Sequence, residues 1–389
     1  MTFEYADRIK RLPPYLFAEI EKIIKEKKSQ GIDLISLSIG DPDLPPPKFV
    51  IEALKEEVAN LKNHNYSFSQ GEPDFREAVA GWYKKRFNVD LQQDQVIALL
   101  GSKEGIANIA RAFINPGDRV LVPDPAYPVY ANGSTILCDG TAVPLPLLEE
   151  NGFKPDFRAV NAKNVKMMFL NYPNNPTAAT VDKAFLREAV DFAKDNDIIL
   201  CYDNAYSEIA YDGYRAPSIL EVDSAMDVAI EFHSLSKTFN MTGDRIGFAV
   251  GNKQLIGGLT KVKSQIDSGP PVYTQKVAVK ALASYTTGEA PDFLKKNNQI
   301  LQERRDLLVE TLGKIGYKCE KPKATFYVWV NCKGDSMKFA TKMLDVGVAV
   351  TPGVGFGKYG EGYVRITLTQ PKERIVEACN RIAVAVSKG

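Results

Sequence analysis

The sequence predicts an α/β protein in two parts: a large domain with a mostly parallel sheet flanked by helices, and a smaller α+β domain. Three observations carry this. The 389 residues exceed what one typical hydrophobic core organises. Between residues 95 and 250 short apolar runs alternate with helical patterns, and the runs break into polar or Gly/Pro-rich turns. Strands joined by helical crossovers give that pattern. From Tyr317 onward the alternation yields to isolated strands and helices.

The elements follow in order. Residues 1–14 form an arm containing Pro13-Pro14, and 16–28 an amphipathic helix with Ile20, Ile23 and Ile24 on one face. Residues 35–39 read as a strand that breaks into Gly40-Asp41-Pro42-Asp43, a stiff loop suited to approaching a ligand. Helices over 49–61 and 73–87 flank a polar, aromatic loop at 65–71 that holds Tyr66. Strands are expected at 96–100, 119–123, 141–147, 166–171, 198–202, 228–232 and 246–250. Helices are expected at 104–113, 182–195, 253–266 and 273–284, with a longer one at 292–315 that links two domains. Strands at 325–330 and 363–368 and helices at 336–345 and 371–387 complete the chain. The expected division is 1–45 as arm and part of the small domain, 46–290 as the large domain, 291–316 as linking helix and 317–389 as the small domain.

Composition excludes several function classes. Hydrophobic content of 44% and charged content of 25% are ordinary for a globular protein. A net charge of +1 gives no electrostatic footprint for nucleic acid or an anionic membrane surface. No apolar run approaches membrane-spanning length, and charges throughout the first 30 residues argue against a signal peptide. Five scattered cysteines without a Cys-x-x-Cys pair point to reduced thiols and a cytoplasmic protein. With two histidines, a His-based metal site is not expected, and His233 reads as a packed strand-end residue.

The chemistry centres on residues 234–245. Lys237 follows one apolar strand and precedes another. Burying an ammonium there is costly, whereas desolvation and a nearby cation make a lysine nucleophilic and fit it for a Schiff base. Ser234, Ser236 and Arg245 supply hydroxyl donors and a planar cation suited to phosphate. Ser102 and Lys103 lie where a strand turns into a helix, an arrangement that binds anions. A lysine beside a phosphate cup points to pyridoxal 5'-phosphate. In a parallel sheet ligands sit beyond the carboxyl ends of the strands, and the polar residues gather there: Ser102, Lys103, Tyr127, Asn175, Asp203, Tyr206 and Lys237. Asp203 is placed to keep the ring nitrogen protonated, Asn175 and Tyr206 to donate to the ring hydroxyl oxygen, and Tyr127 to stack on the ring.

Asn174-Asn175-Pro176, Asp203-x-x-Tyr206 and Ser234-x-Ser236-Lys237 with Arg245 resemble the class I/II aminotransferases of pyridoxal-phosphate fold type I. Gly40 and Arg365 extend the resemblance to both ends of the chain. The strings Leu12-Pro13-Pro14-Tyr15, Gly40-Asp41-Pro42-Asp43 and Gly101-Ser102-Lys103-Glu104-Gly105 are similar to those of the LL-diaminopimelate subgroup. The resemblance implies that Lys237 carries the Schiff base and moves the Cα proton. It implies that Arg365 pairs bidentately with the substrate α-carboxylate, a geometry lysine cannot reproduce, and that Gly40 lets the backbone approach that carboxylate. Tyr15, Lys103, Tyr127 and Asn175 are further implied substrate contacts. Tyr66 is the implied contact to the cofactor phosphate of a neighbouring subunit, which makes a homodimer with shared sites the expected assembly.

The implied reaction passes an amino group between LL-diaminopimelate and 2-oxoglutarate. A transaminase for another amino acid (alanine, aspartate, glutamate or an aromatic) and a carbon–sulfur β-lyase are the alternatives, because a fold does not fix a substrate. Two positions depart from the family pattern. Ala178 stands where Gly is common, and Asp244 precedes Arg245 where Trp is common.

Overall fold

The structure is a computed structural model that describes residues 2–14, 16–317 and 319–387. Twelve strands are found among these residues. They are β1 (Ile35–Ser36), β2 (Val96–Leu99), β3 (Arg119–Asp124), β4 (Thr141–Pro146), β5 (Val165–Asn171), β6 (Ile199–Asp203), β7 (Ala229–Ser234), β8 (Gly247–Gly251), β9 (Tyr327–Asn331), β10 (Val348–Ala349), β11 (Thr351–Pro352) and β12 (Tyr363–Thr367). Seven form one sheet in the order β2-β8-β7-β6-β5-β3-β4. Every pairing is parallel except the two made by β8. The large mostly parallel sheet and the smaller antiparallel sheet β11-β12-β9 accord with the expected class.

The strand sequences show why the sheet is buried on both sides. Period-two alternation sends Ala98, Met168, Leu170, Leu200 and Tyr202 to one core and Ile97, Leu99, Met167, Phe169 and Cys201 to the other. Helices Pro73–Phe87, Lys183–Asp195 and Val272–Ala283 cover the first face, and Ser102–Phe113 and Lys253–Lys263 the second. Edge strand β4 carries Pro144 and Pro146, residues that an edge tolerates because it needs fewer ladder donors.

The reversed strand β8 assembles the site. Gly247, its first residue, pairs with Ser234 at the end of β7 and with Leu99 at the end of β2. The chain just before β8 therefore meets the carboxyl ends of β2 and β7 at one edge. A side chain at Gly247 would collide there: a Cβ would lie 2.6 Å from the His233 carbonyl and 2.9 Å from the Ser102 nitrogen.

Some expected elements end elsewhere. The strand expected at 35–39 keeps only Ile35–Ser36, because its partner β10 is two residues long. Leu37 instead bridges two elements, donating to the Ala349 carbonyl and accepting from Thr367. The turn at Ser102-Lys103 is already the first turn of helix Ser102–Phe113. The helix expected to reach 266 stops at Lys263. Residues Tyr130–Thr135 form a π-helical turn that sequence periodicity does not signal.

Lys263 has no exposed side-chain surface, and its Nζ donates to Glu104 at 3.0 Å and to both oxygens of Asp267 at 2.8 and 2.9 Å. Glu104 belongs to the first turn of helix Ser102–Phe113. Removing the ammonium strands two partly buried carboxylates, so Lys263→Met should cost about 3 kcal/mol of stability. Chemical denaturation checks this, and an unchanged unfolding midpoint would contradict it.

Candidate active site

A cavity of about 310 Å³ opens between the carboxyl edge of the large sheet and the small domain. It is lined by Gly40, Ser102, Lys103, Tyr127, Asn175, Asp203, Tyr206, Ser234, Ser236, Lys237, Arg245 and Arg365. Strands far apart in the chain thus bring twelve of the fourteen expected site residues together. Of the other two, Tyr15 lies outside the described residues. Tyr66 does not line this cavity, and 92% of its surface is exposed.

One end of the cavity is formed by a helix N-terminus, Arg245 and two serines. Gly101 has φ +80° and precedes helix Ser102–Phe113 without a side-chain cap, which leaves the first N–H groups pointing out of the helix end. Arg245 donates to the Leu100 carbonyl at 3.0 Å and the Thr242 carbonyl at 2.8 Å. Its guanidinium lies against Gly101, where a Cβ would come within 2.8 Å of it. These carbonyls hold Arg245 in place, and no hydrogen bond joins it to Asp244. Asp244 is partly buried, and burial raises its carboxyl above the usual carboxylate range. Ser234 caps the short helix Leu235–Thr238, its Oγ accepting from the Ser236 N–H at 3.2 Å.

Lys237 sits at the centre. Its Nζ donates to the Gly40 carbonyl at 3.1 Å and lies 5.5 Å from the Phe326 ring. Burial lowers its pKa to about 8; Arg365 and Arg245 push the same way, against Asp41 and Asp203. Gly40 has a steric reason to be glycine. A Cβ there would stand 2.0 Å from the Tyr327 hydroxyl, which is 3.0 Å from the Tyr206 hydroxyl. The loop is pinned from its other end, where Arg304 makes a bidentate pair with Asp43 at 2.7 and 2.9 Å.

Asp203 ends β6 and is 6% exposed. Burial raises its carboxyl to about 6, opposed by the hydrogen bond from Tyr130 and the Ala205 N–H. The Tyr130 hydroxyl donates to Oδ2 at 2.7 Å. Asn171, the residue paired with Asp203 across β5 and β6, donates to the Asp203 carbonyl at 2.8 Å and accepts from the Asn175 N–H at 2.8 Å. Tyr130, Asn171 and Tyr327 line the cavity and were not anticipated. Tyr130 lies in the π-helical turn, which carries no periodic signal. Asn171, as the last residue of an apolar strand followed by a proline-rich turn, was visible in the sequence.

Arg365 comes from β12, the middle strand of the small sheet, and is 2% exposed. It donates to Asn175 Oδ1 and to the Ser38 carbonyl, both at 2.7 Å, and stacks 4.2 Å from the Tyr327 ring. The guanidinium is thus held in one orientation by its own neighbours. Lys103 Nζ lies 5.7 Å from the centre of the Tyr127 ring. His233, next to the cup, donates or accepts at 2.7 Å with buried Glu231 and stacks on Phe248. It is a packed residue, as expected.

Residues 32–382 match the family described as aminotransferase class I and II. The chain belongs to this family. It is 51% identical to an LL-diaminopimelate aminotransferase of Desulforudis audaxviator and 49% identical to another of Aquifex aeolicus, each comparison covering 98% of both chains. Among solved structures, an aspartate aminotransferase of Thermus thermophilus with maleate superposes with a TM-score of 0.92 at 30% identity, covering 99% of this chain and 100% of that one. The chain is therefore a transaminase with the type I aminotransferase fold. One departure from the family pattern now has a physical content. Ala178 has φ +59°, a left-handed conformation that glycine adopts freely and that costs alanine about 1–2 kcal/mol.

The donor set fits pyridoxal phosphate. A helix end, two serines and Arg245 suit a phosphate dianion. Asp203 is a buried carboxylate whose partners leave it room to accept another proton donor. Lys237 lies with them on one cavity.

Proposed function

We propose that this chain is a pyridoxal-phosphate-dependent aminotransferase that exchanges the amino group of LL-diaminopimelate with 2-oxoglutarate, in lysine biosynthesis. The observation that carries the chemistry is the meeting of Lys237, Asp203 and Arg365 on one cavity. The substrate reading rests on relatives near 50% identity over the full chain that bear that name.

When bound, the cofactor supplies an electron sink for negative charge at the substrate Cα. Lys237 would hold it covalently, with Ser102, Lys103, Ser234, Ser236 and Arg245 at its phosphate. Asp203 would hold a proton at the ring nitrogen, and a positive partner there would draw its carboxyl back into the ionised range. Asn175 and Tyr206 would donate to the ring oxygen, and Tyr127 would cover the ring. Arg365 grips the substrate α-carboxylate with two N–H groups and sets Cα near Lys237. Lys237 gives up its covalent hold when the substrate amine takes its place, and the freed amine would then take up the Cα proton at its Nζ as general base. The residues 1–45 and 317–389 act as one small domain in this reading, as the pairing of β1 with β10 supports. A second copy of the chain brings Tyr66 to the partner's phosphate site. Tyr66, Leu61 and Phe68 are exposed by 92%, 84% and 65%, surface that a second copy would cover. Five free thiols accord with a cytoplasmic enzyme. Among the described residues no helix is long and apolar enough to cross a membrane.

The pKa of Lys237 gives a pH prediction. Only the neutral amine attacks an aldehyde, and this amine is protonated below about 8. Covalent attachment of pyridoxal phosphate to the apo-enzyme should therefore speed up as pH rises and level off above about 8. Stopped-flow visible absorbance measures it; a rate unchanged between about pH 6 and about pH 9 would contradict the assignment. The function itself is tested by half-reactions with a panel of amino acids. LL-diaminopimelate and glutamate should bleach the visible band fastest, and faster loss with alanine or an aromatic amino acid would replace the substrate reading.

A further inference from the structure

Glu21 is a carboxylate at the exposed edge of the active-site cavity, without a partner among the described residues. It lines that cavity with Lys103, Tyr127 and Arg365, from the helix Leu16–Ser29. It makes no hydrogen bond or ion pair with another described residue. Its backbone is nevertheless fixed. Ile24 packs with Leu34 and Ala349, and Ile20 packs against the same cluster.

The other polar side chains of the cavity are largely committed. Asp203 takes Tyr130, Arg365 takes Asn175 and Ser38, Arg245 takes two carbonyls, and Tyr206 takes Tyr327. Two acids remain, Asp41 and Glu21. Asp41 adjoins Gly40, whose carbonyl accepts from Lys237, and its charge acts on Lys237. Asp41 thus belongs to the reacting end. Glu21 is not among the main charges that govern Lys237.

LL-diaminopimelate carries an ammonium and a carboxylate at each end of a seven-carbon chain. Arg365 and Lys237 engage the reacting end. The far end brings a second ammonium that must pair with an anion or stay in water, and 2-oxoglutarate brings none. We propose that Glu21 accepts a charge-assisted hydrogen bond from the distal ammonium of the diamine substrate, and so separates it from mono-amino acids of the same length. This rests on the substrate reading above.

The test is a mutant cycle across that contact. The holoenzyme is compared with Glu21→Gln on LL-diaminopimelate and on L-2-aminopimelate, which keeps both carboxylates and lacks the distal amine. The ratio of kcat/KM for diamine over monoamine is read for each. It should exceed one in the wild type and fall by about tenfold or more in the variant, the worth of one hydrogen bond between charged groups. Glu21→Asp should keep part of the preference, because it keeps the charge. Glu21 is exposed, and a melting curve confirms that the variants fold. A wild type that takes the diamine and a Glu21→Gln variant with the same ratio would overturn the contact alone. A wild type that takes glutamate and rejects LL-diaminopimelate would overturn both the contact and the substrate reading.

Discussion

Lys237→Ala is expected to lower transamination by at least about 10⁴-fold. The geometry leaves no substitute. Arg245 cannot lose a proton in a protein, and its guanidinium is tied to two carbonyls at the far side of the cup. Lys103 lies over the Tyr127 ring. Lys237 alone holds an amine against the Gly40 carbonyl, at the meeting point of Asp41, Asp203 and Arg365. The variant should also lose pyridoxal phosphate more readily than wild type on gel filtration, because the covalent link is gone and only the phosphate cup still holds it. Steady-state assays and the visible spectrum check both. Activity within about tenfold of wild type would mean that another group moves the proton.

Asp203→Asn is the second large effect, a loss of about 10²–10³-fold in kcat. Asparagine is nearly isosteric and can still accept from the Tyr130 hydroxyl, which now lies 2.7 Å from Asp203. It cannot carry the negative charge proposed to hold a proton on the ring nitrogen. The loss should therefore fall on the chemical step, with a much smaller change in the dissociation constant of the cofactor. Single-turnover kinetics and cofactor titration separate the two. Equal losses would show that Asp203 serves binding and not the electron sink. Tyr130→Phe should move kcat in the same direction and less, since it removes one hydrogen bond to the carboxylate and not the charge.

Much of the fold was legible because both periods were clean. Helix Pro73–Phe87 and helix Ser336–Asp345 fall where the apolar spacing places them, and the strands of the large sheet alternate between two cores. The site was legible because chemistry-bearing residues stood at strand ends. What was not legible depended on pairing across the chain. The reversal of β8, which carries Arg245 to the cup, is a fact about neighbours and not about local sequence. The reason for Gly40 lies 287 positions away in the Tyr327 hydroxyl. Asp244 precedes Arg245 in the chain, yet the carbonyls of Leu100 and Thr242 orient that guanidinium. Ala178 is a further case, since its left-handed backbone conformation is one that glycine adopts freely, and no local pattern signals it.

In transamination one amino group passes through this site from donor to acceptor. Following isotope tests it directly. Enzyme loaded with pyridoxal phosphate is mixed with LL-diaminopimelate carrying ¹⁵N at both amines, and then with unlabelled 2-oxoglutarate. The expected product is ¹⁵N-glutamate in an amount equal to the diamine consumed. Label appearing as free ammonium, with no labelled glutamate, would contradict it and point to a lyase on the same scaffold.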